Sequence, residues 1–431
     1  MRVAVLGLWH LGSVTAACLA SAGHVVQAYD PDERTVASLA DGQPPVAEPG
    51  LADLIKRGVA SGALQFTTQM AEAVREADVV WVAFDTPVDE DDVADVAFVE
   101  RHVESTFPDL KDGAIVLCSS QLPVGTTRKL ETRWKDAAAG RTVSFACSPE
   151  NLRLGKAIDV FTNPDRVVVG VRDERARSQL QKLFAPISDR LEWMSVESAE
   201  MTKHGINAFL ATSVAFINEL AALCERAGAD AKEVERGLRT DRRIGPRAYL
   251  SPGGAFAGGT LARDVSFVRE LGTLTGLTTP LMDGVLESNR AHRSWVRRRL
   301  ESELGVLAGS RVALWGLTYK PGTDTLRRSP AVELSRWLAA QGADLHVHDP
   351  AVRTLPADLA SITRHSEPIA AAAGARALVV STEWPIYREI DVDRLAALAP
   401  GLVVLDANRF LAPLFDHDPR FRFIAVGQPQ A

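Results

Sequence analysis

The chain has 431 residues, a formal net charge of −7 and 46% hydrophobic residues. This length exceeds one ordinary domain and predicts two or three, each with a packed core. The acidic balance argues against nucleic acids and acidic membrane surfaces as main partners. No uninterrupted apolar run approaches the roughly 20 residues that a membrane span needs, so we expect no membrane segment.

The N-terminus and the cysteines bear on where the protein works. The chain begins directly with a buried-strand pattern, Arg2 to Gly7, which leaves no room for a signal peptide. The four cysteines lie in separate apolar runs without the spacing of metal ligands: Cys18, Cys118, Cys147 and Cys224. We expect reduced core thiols, no bound metal and a cytoplasmic location.

The first strand leads into the turn Gly7-Leu8-Trp9-His10-Leu11-Gly12, a helix of small residues at 13–22 and a second strand that ends at Asp30. In a dinucleotide-binding unit, such a helix N-terminus faces the pyrophosphate and the acid binds the ribose diol. Asp30 favours NAD over NADP, because it would repel a 2′-phosphate. Trp9 stands where a second glycine normally lets the backbone approach the cofactor. The alternative is therefore a degenerate turn that binds nothing.

Further strands are predicted at 78–84, 114–118, 142–147 and 166–170, with helical patterns between them. This alternation is typical of a parallel, doubly wound sheet. Three polar residues, Thr86, Ser120 and Glu150, follow successive strands. They would lie at the carboxyl edge, where such sheets bind ligands.

The stretch 196–228 predicts one long helix, with acids in its first turn, Ser198 as a possible cap and Gly228 just past its end. Its apolar residues follow a helical period and predict one broad buried face: Met201, Ile206, Phe209, Leu210, Val214, Ile217, Leu220, Ala221 and Cys224. Lys203 and Asn207 are four residues apart and share a face. They form either a solvated polar rim or part of a site.

A second helix is predicted at 230–238, and a loop at 249–264 is crowded with glycines. The loop is either a close backbone track over a ligand or simply flexible. Beyond it, the segment 310–317 begins a second Rossmann-like unit with a helix at 330–341. Its further strands are expected at 344–348, 377–381, 402–406 and 421–426.

Several segments in order resemble the UDP-glucose/GDP-mannose dehydrogenase family over nearly the whole chain. They are the turns at 84–87, 119–127 and 148–153, the Lys203–Asn207 pair, and the loops at 241–246, 249–264 and 320–330. The resemblance implies an α/β fold with two Rossmann-like doubly wound domains joined by a central long helix. It implies an NAD-binding domain at 1–195, a central helical domain at 196–295 and a nucleotide-sugar-binding domain at 296–431. It also implies a homodimer through the long helix and a role in polysaccharide biosynthesis.

The resemblance assigns roles to individual residues. The implied catalytic residues are Lys203, Asn207, Glu150, Asp264, Thr260 and Ser120. The implied NAD contacts are Gly7, Trp9, His10, Leu11, Gly12, Asp30, Thr86, Ser120, Arg263 and Arg327. The implied nucleotide-sugar contacts are Glu150, Asn151, Leu152, Lys203, Asn207, Arg243, Tyr249, Leu250, Gly253, Phe256, Gly258 and Lys320. The chain departs from the family at Trp9, Asp85, Leu154, Thr260, Arg263, Thr325 and Arg328.

The departure at Thr260 changes the expected chemistry, because it stands where the family has its nucleophilic cysteine. The family oxidises a CH2OH group twice, and the second oxidation passes through a thiolate adduct. A hydroxyl needs a dedicated base to act as nucleophile. His204 is a candidate base; Cys147 is a candidate substitute nucleophile, although we expect it to be a buried strand residue.

Three functions follow. The first is an NAD-dependent oxidoreductase that transfers one hydride from a nucleotide sugar, most naturally a UDP-sugar. The second is a catalytically inactive nucleotide-sugar-binding pseudoenzyme or regulatory subunit. The third is full oxidation with another nucleophile.

Overall fold

The computed structural model describes residues 1–89, 94–137, 140–150, 152–257 and 259–429. The predicted substrate contacts Asn151 and Gly258 lie outside these residues. The chain divides into two compact units, Met1–Ile206 and Asn207–Ala431, and the division falls inside one continuous helix. Each unit is described separately.

The first unit is the predicted doubly wound sheet with helices on both faces. Its strands are β1 (Arg2–Leu6), β2 (Val25–Tyr29), β3 (Leu64–Thr67), β4 (Val79–Val82), β5 (Ile115–Cys118), β6 (Ser144–Cys147), β7 (Val167–Gly170) and β8 (Leu191–Met194). Its helices are α1 (His10–Ser21), α2 (Glu33–Ala40), α3 (Leu51–Ala60), α4 (Met70–Val74), α5 (Val96–Glu104), α6 (Thr126–Ala137), α7 (Ala157–Thr162), α8 (Glu174–Phe184) and the start of α9 (Val196–Ala227), with a short 3-10 turn at Phe107–Asp109.

The strand order is β3-β2-β1-β4-β5-β6-β7-β8, and all pairings from β3 to β6 are parallel. Strand β7 is antiparallel to β6 and carries β8 parallel to itself. The order reverses between β1 and β4, and a ligand crevice forms at such a point, outside the carboxyl ends of the strands. The sequence missed β3 and β8.

The central strands are buried on both faces, because their alternate residues enter two different cores. Val3 and Val5 of β1 pack with α1, α3 and α8, whereas Ala4 and Leu6 pack with α4, α5 and α6. The same alternation holds along β4 and β5. Continuous apolar strands covered by helices on both faces are the signature of a parallel sheet.

The second unit contains the rest of α9, a helical part and a second sheet. Its helices are α10 (Ala231–Thr240), α11 (Thr260–Thr275), α12 (Pro280–Arg293), α13 (Trp295–Leu304), α14 (Pro330–Ala340), α15 (Pro368–Ala372), α16 (Val392–Leu398) and α17 (Ala412–Phe415), with 3-10 turns at Ala357–Leu359 and Pro385–Glu389. Its strands are β9 (Arg311–Trp315), β10 (Asp344–His348), β11 (Thr363–Arg364), β12 (Ala377–Val380), β13 (Val403–Leu405) and β14 (Arg422–Ile424).

The second sheet repeats the strand order of the first, as β11-β10-β9-β12-β13-β14, and all its pairings are parallel. Its first turn also repeats. Gly316 follows β9 with φ +90° and donates its N–H to His348, just as Gly7 follows β1 with φ +88° and donates to Tyr29. The predicted second Rossmann-like domain is therefore present.

Helix α9 begins and ends as its sequence suggests, apart from the cap. Ser195, not Ser198, caps it, since the Ser195 hydroxyl accepts the N–H of Ser198 at 3.2 Å. At the other end Gly228 has φ +75°, and the N–H of Ala229 donates to the carbonyl of Cys224 at 3.1 Å, as in a Schellman motif.

The predicted buried face of α9 is partly wrong. Met201 and Phe209 are exposed by 39% and 69%. The residues that α9 contributes to the core with α11 and α12 are small: Ala208, Ala211 and Ala215. Small residues let helices approach closely, so the bulky side chains on the opposite face stay outside.

By length and composition alone, α9 would also pass for a membrane span. An 18-residue window has a mean hydropathy of 1.5, with 44% of that window buried inside the protein. Helices in the cores of globular proteins pass the same test. Here α9 buries Lys203, Asn207, Asn218 and Glu225, which have polar partners within the protein.

Candidate active site

The predicted polar residues of the first unit follow neighbouring strands at one edge of its sheet. Asp30 follows β2, the turn at 7–12 follows β1, Thr86 follows β4, Ser120 follows β5 and Glu150 follows β6. Because these strands are parallel, the residues lie at the same carboxyl edge, around the reversal of strand order.

The glycines of the first turn are required by close packing. A Cβ on Gly7 would lie 2.6 Å from the Cα of Phe84, and a Cβ on Gly12 would lie 1.7 Å from the carbonyl oxygen of Gly7. Any side chain at either position would push the turn away from the sheet. The turn is therefore tight enough to hold the N-terminus of α1 at the edge of the sheet.

Trp9 does not disturb this turn, although glycine is usual at its position. It is the N-cap of α1 with φ −71°, a backbone conformation open to any residue, and it is 52% exposed. Behind it, the N–H groups of His10, Leu11 and Gly12 make no hydrogen bond in the described part of the chain. Three such N–H groups at a helix N-terminus suit an anion such as a pyrophosphate, so the turn fits a dinucleotide.

Asp30 has a structural task that the sequence did not reveal. Its Oδ2 accepts the N–H of Leu8 at 2.8 Å, and its Oδ1 accepts the N–H of Asp32 at 3.0 Å. The carboxylate is thus fixed beside the turn, where a ribose diol would reach it. Asp85, the unusual acid after β4, is exposed, whereas Thr86 is buried with its hydroxyl donating to the carbonyl of Gln121 at 2.7 Å.

A cleft of about 360 Å³ brings together three of the predicted catalytic residues, Ser120, Glu150 and Lys203. The Lys203 Nζ donates to the carbonyl oxygen of Glu150 at 2.6 Å and lies 3.4 Å from its Oε1. The other carboxylate oxygen of Glu150 accepts the N–H of Leu152 at 2.7 Å. The ammonium is therefore aimed at the loop after β6, and the loop is folded around Glu150.

Ser120 is the available hydroxyl of this cleft. Its Oγ is buried and has no hydrogen-bond partner among the described residues. Buried hydroxyls are normally satisfied, so an unsatisfied one that lines a cleft is suited to a bound water or a ligand hydroxyl.

Glu200 also lines the cleft, and sequence reasoning did not single it out. Its carboxylate accepts the N–H of Gly125 at 2.6 Å and that of Thr127 at 3.0 Å, so it caps the N-terminus of α6. Glu200 therefore ties the loop that carries Ser120 to the helix that carries Lys203. The spacing of Glu200 and Lys203 on α9 was a visible signal, but its partner was not.

The two other candidates in the cleft do not suit the chemistry proposed for them. Cys147 is 5% exposed on β6, and burial, followed by the nearby Glu200 and Cys118, raises the pKa of its thiol well above the usual value. It is the buried strand residue that we expected. His204 uses its Nε2 to donate to the carbonyl of Leu122 at 2.9 Å, so that nitrogen is not free to take a proton.

In the second unit, Asn207 and Asp264 are both buried and hydrogen-bonded to each other, the Asn207 amide donating to the carboxylate. Asp264 lies in the first turn of α11, which begins at Thr260. Thr260 is exposed, and Arg263 on the same turn is buried. The structure thus pairs two of the predicted catalytic residues beside the position that has lost its cysteine.

The glycine-rich loop before α11 is held in place by side chains from three directions. Asn218 accepts the N–H of Gly253 at 3.0 Å, and His292 contacts its carbonyl at 2.8 Å. Asn408 accepts the N–H of Gly254 at 2.8 Å. In addition, Asn289 binds both the N–H and the carbonyl of Phe256, at 2.9 and 2.8 Å.

Glycine is needed at position 253, because a Cβ there would lie 2.2 Å from the Asn408 Oδ1. The loop is therefore a built backbone track rather than a flexible connection. The four side chains that hold it lie far apart in sequence, which is why the sequence did not reveal them.

The remaining predicted substrate contacts vary in setting. Leu250 is buried, Tyr249 is 56% exposed, and Arg243 forms a surface ion pair with Asp241 at 2.7 Å. Lys320 and Arg327 lie in the loop between β9 and α14. Next to Arg327, Arg328 adopts φ +60° and brings its guanidinium to within 3.4 Å of the site that a Cβ on Gly259 would occupy.

Comparison with known proteins agrees with this geometry. Three models of the UDP-glucose/GDP-mannose dehydrogenase family match in order: the NAD binding domain at residues 1–188, the central domain at 197–291 and the UDP binding domain at 313–413. The chain belongs to the UDP-glucose/GDP-mannose dehydrogenase family. It is therefore an NAD-dependent nucleotide-sugar dehydrogenase by family, and the recognition made from its motifs is confirmed.

Individual relatives span the whole chain. A UDP-glucose 6-dehydrogenase of Pseudomonas aeruginosa is 34% identical over 100% of this chain and 98% of its own length. A UDP-glucose 6-dehydrogenase of Bacillus subtilis is 30% identical over 99% of this chain and 93% of its own length. The solved UDP-glucose dehydrogenase of Pyrobaculum islandicum is 31% identical, covers 100% of this chain and 98% of its own, and superposes with a TM-score of 0.89.

Proposed function

We propose that this dehydrogenase oxidises an alcohol group of a UDP-sugar and stops after one hydride transfer, at the aldehyde or ketone. The description of the matching C-terminal model and the names of the most similar relatives support a UDP-sugar. UDP-glucose is the first substrate to test.

One observation carries the single transfer: the chain offers no thiolate where a second oxidation needs one. Position 260 is a threonine in the first turn of α11. Each of the four cysteines is buried, and burial is the first cause that raises each thiol pKa. Without a thiolate, an enzyme-bound aldehyde lacks the adduct from which a second hydride would leave.

The residues of the first unit support the proton chemistry of one transfer. In the reaction, the alcohol loses a proton and its carbon loses a hydride, which NAD accepts when bound. We assign stabilisation of the developing alkoxide to the Lys203 ammonium and to a water held by Ser120, with Glu150 ordering or activating that water.

In the second unit we assign substrate orientation and proton handling to the buried Asn207–Asp264 pair. We assign substrate contact to Leu250, Gly253 and Phe256 along the glycine track, and charge complementarity to Lys320, Arg327 and Arg243.

The test is NADH release on a panel of UDP-sugars and other nucleotide sugars, with the product identified by mass. One NADH per sugar and an aldehyde or ketone would agree with the proposal, and two NADH per sugar with an acid would refute it. NAD binding by calorimetry without NADH release on any sugar would favour the alternative of an inactive binding protein. We expect Thr260→Cys to add acid production; an active variant that forms no acid would show that more than the nucleophile is missing.

We also propose a homodimer through α9. Phe209, Phe216 and Leu223 are spaced seven residues apart and are exposed by 69%, 51% and 64%. Such a stripe along one helix face suits a second copy of the same helix. In sedimentation experiments, Phe216→Glu with Leu223→Glu should give monomers, while the control Leu398→Glu, at an exposed leucine elsewhere, should not. Dimers that survive the double substitution would contradict this arrangement.

The reduced, buried state of the cysteines supports a cytoplasmic location. There the product would serve polysaccharide biosynthesis, without nucleic-acid or membrane partners. Cell fractionation tests the location, and recovery in a membrane or secreted fraction would contradict it.

A further inference from the structure

A buried carboxylate joins the dinucleotide turn to the loop that follows β6. The Glu48 Oε2 lies 2.9 Å from the Nε2 of His10, the first residue of α1, and also accepts the N–H of Gly155 at 2.8 Å. Its Oε1 accepts the N–H of Ala157, the first residue of α7, at 2.9 Å. The side chain of Glu48 is only 1% exposed. The contact therefore links the start of α1 to the segment that begins at Glu150.

Glu48 is an anion in this setting. Burial by itself raises its pKa, but hydrogen bonds from His10, Gly155 and Ala157 outweigh burial and lower it. Because the carboxylate can only accept, the Nε2 of His10 must carry the hydrogen. A buried anion beside an imidazole stabilises the imidazolium form over the neutral one.

The other side of the imidazole belongs to the N-terminus of α1. Its Nδ1 makes no hydrogen bond in the portion of the chain that the structure describes, and the N–H groups of His10, Leu11 and Gly12 are likewise unpaired there. The pyrophosphate of NAD is doubly negative and belongs at this helix end. An imidazolium at position 10 would then stand between two anions, Glu48 and the cofactor.

We propose that NAD binding protonates His10, which then bridges the Glu48 carboxylate and the cofactor pyrophosphate, with Glu48 as the positioning residue. Free enzyme holds a neutral imidazole, since histidine ordinarily titrates near pH ~6.5. The second anion arrives with the cofactor, so the proton is taken from solvent when NAD binds.

The neighbouring titratable groups leave His10 as the group that changes charge. The elements packed against α1 carry Asp53, Lys56 and Arg57 on α3, Asp159 on α7, and Tyr29 and Asp30 at the end of β2. Cys18 on α1 itself lies near Glu48, but burial and that carboxylate raise its pKa to about 12. Among the described residues, Glu48 alone of these groups contacts the imidazole.

The experiment is calorimetric titration of the full-length protein with NAD at pH 7.5 in buffers of different ionisation enthalpy. The slope of binding enthalpy against ionisation enthalpy gives the protons taken up. We expect about 0.5 to 1 proton per NAD for the native chain. His10→Gln should abolish the uptake and weaken NAD about tenfold, and Glu48→Gln should at least halve the uptake. The exposed control Asp53→Asn should leave it unchanged.

NAD binding without proton uptake by the native chain would overturn this inference while leaving the proposed function intact, because the cofactor would still bind. Uptake that persists in His10→Gln would place the proton elsewhere and overturn it as well. Complete failure of NAD to bind would instead overturn the proposed function, on which this inference rests. His10 is partly exposed, with 18% of its side chain accessible, so its variant should fold even if Glu48→Gln does not.

Discussion

Glu200 offers a direct test of how the site is held together, by replacement with glutamine. The carboxylate is 5% exposed and accepts two backbone N–H groups, from Gly125 at 2.6 Å and from Thr127 at 3.0 Å. Glutamine has nearly the same shape but one acceptor oxygen. Its NH2 group would face one of the two N–H donors, so that this donor is left buried without a partner.

The expected cost follows from these two hydrogen bonds. A bond to a charged acceptor contributes roughly 1.5–3 kcal/mol, and the variant loses one and weakens the other to a neutral bond. Removing a negative charge from the N-terminus of α6 adds about 0.5–1 kcal/mol. We therefore expect local destabilisation of about 3 kcal/mol, which corresponds to roughly 100-fold faster amide exchange at this helix end.

Hydrogen exchange measures this effect where it occurs. Peptides covering 119–130 should lose protection in Glu200→Gln, and kcat for the proposed oxidation should fall at least tenfold, because Ser120 lies in the same segment. The matched control is Glu197→Gln, one turn earlier on α9, whose carboxylate pairs with Arg172 and Arg128. It should leave both exchange in 119–130 and kcat unchanged. Unaltered exchange in Glu200→Gln would refute the anchoring role.

Three further predictions concern other parts of the structure. The ion pair with Arg172, then that with Arg128, lowers the pKa of Glu197 to about 2, below its unfolded value near 4.5, so its stabilisation is complete above pH 4.5 and is lost as the pH falls towards 2; after allowance for partial exposure we expect about 1–2 kcal/mol. Acid unfolding of Glu197→Gln should lack this component, and an unchanged acid transition would contradict it. Gly253→Ala should raise KM for the sugar at least tenfold by its clash with Asn408, with partial recovery when Asn408→Ala is added; no recovery would mean that the clash is not the cause. Trp9→Gly should change the Kd of NAD less than threefold, because the indole is half exposed, and a tenfold gain in affinity would show that it obstructs the cofactor.

The sequence predicted the elements whose signals are local. The long helix, the turn at Gly7 and the strands of the second sheet from β9 onward were found within a few residues, with the exception of the two-residue β11. Apolar runs, small-residue turns and acids after strands depend on near neighbours, so a single sequence shows them. The short strand β8 was missed because its residues are only partly buried, which weakens the apolar pattern.

The supports of the site could not be predicted, because their partners are distant. Glu48 meets residues more than 100 positions away, and Asn408 meets Gly254 across 154 positions. Such contacts exist only once the sheets have formed, and a lone glutamate or asparagine in a loop has many equivalent interpretations. The motifs located the groups proposed for the chemistry, whereas the structure was needed to identify what holds them.

The two Rossmann-like sheets show how one turn can serve different purposes. Asp30 and Asp349 occupy equivalent positions, after the second strand of each sheet. Asp349 is 2% exposed and accepts hydrogen bonds from the N–H groups of Leu317 and Thr318 and from the indole of Trp384 on one oxygen alone. Asp30 is only partly buried and accepts one backbone N–H on each oxygen. Carboxylate oxygens have about two acceptor positions each, so Asp30 retains capacity for a ribose diol whereas that oxygen of Asp349 has none left. Dinucleotide binding is therefore expected at the first sheet only, for a reason that lies in hydrogen-bond capacity rather than in the fold.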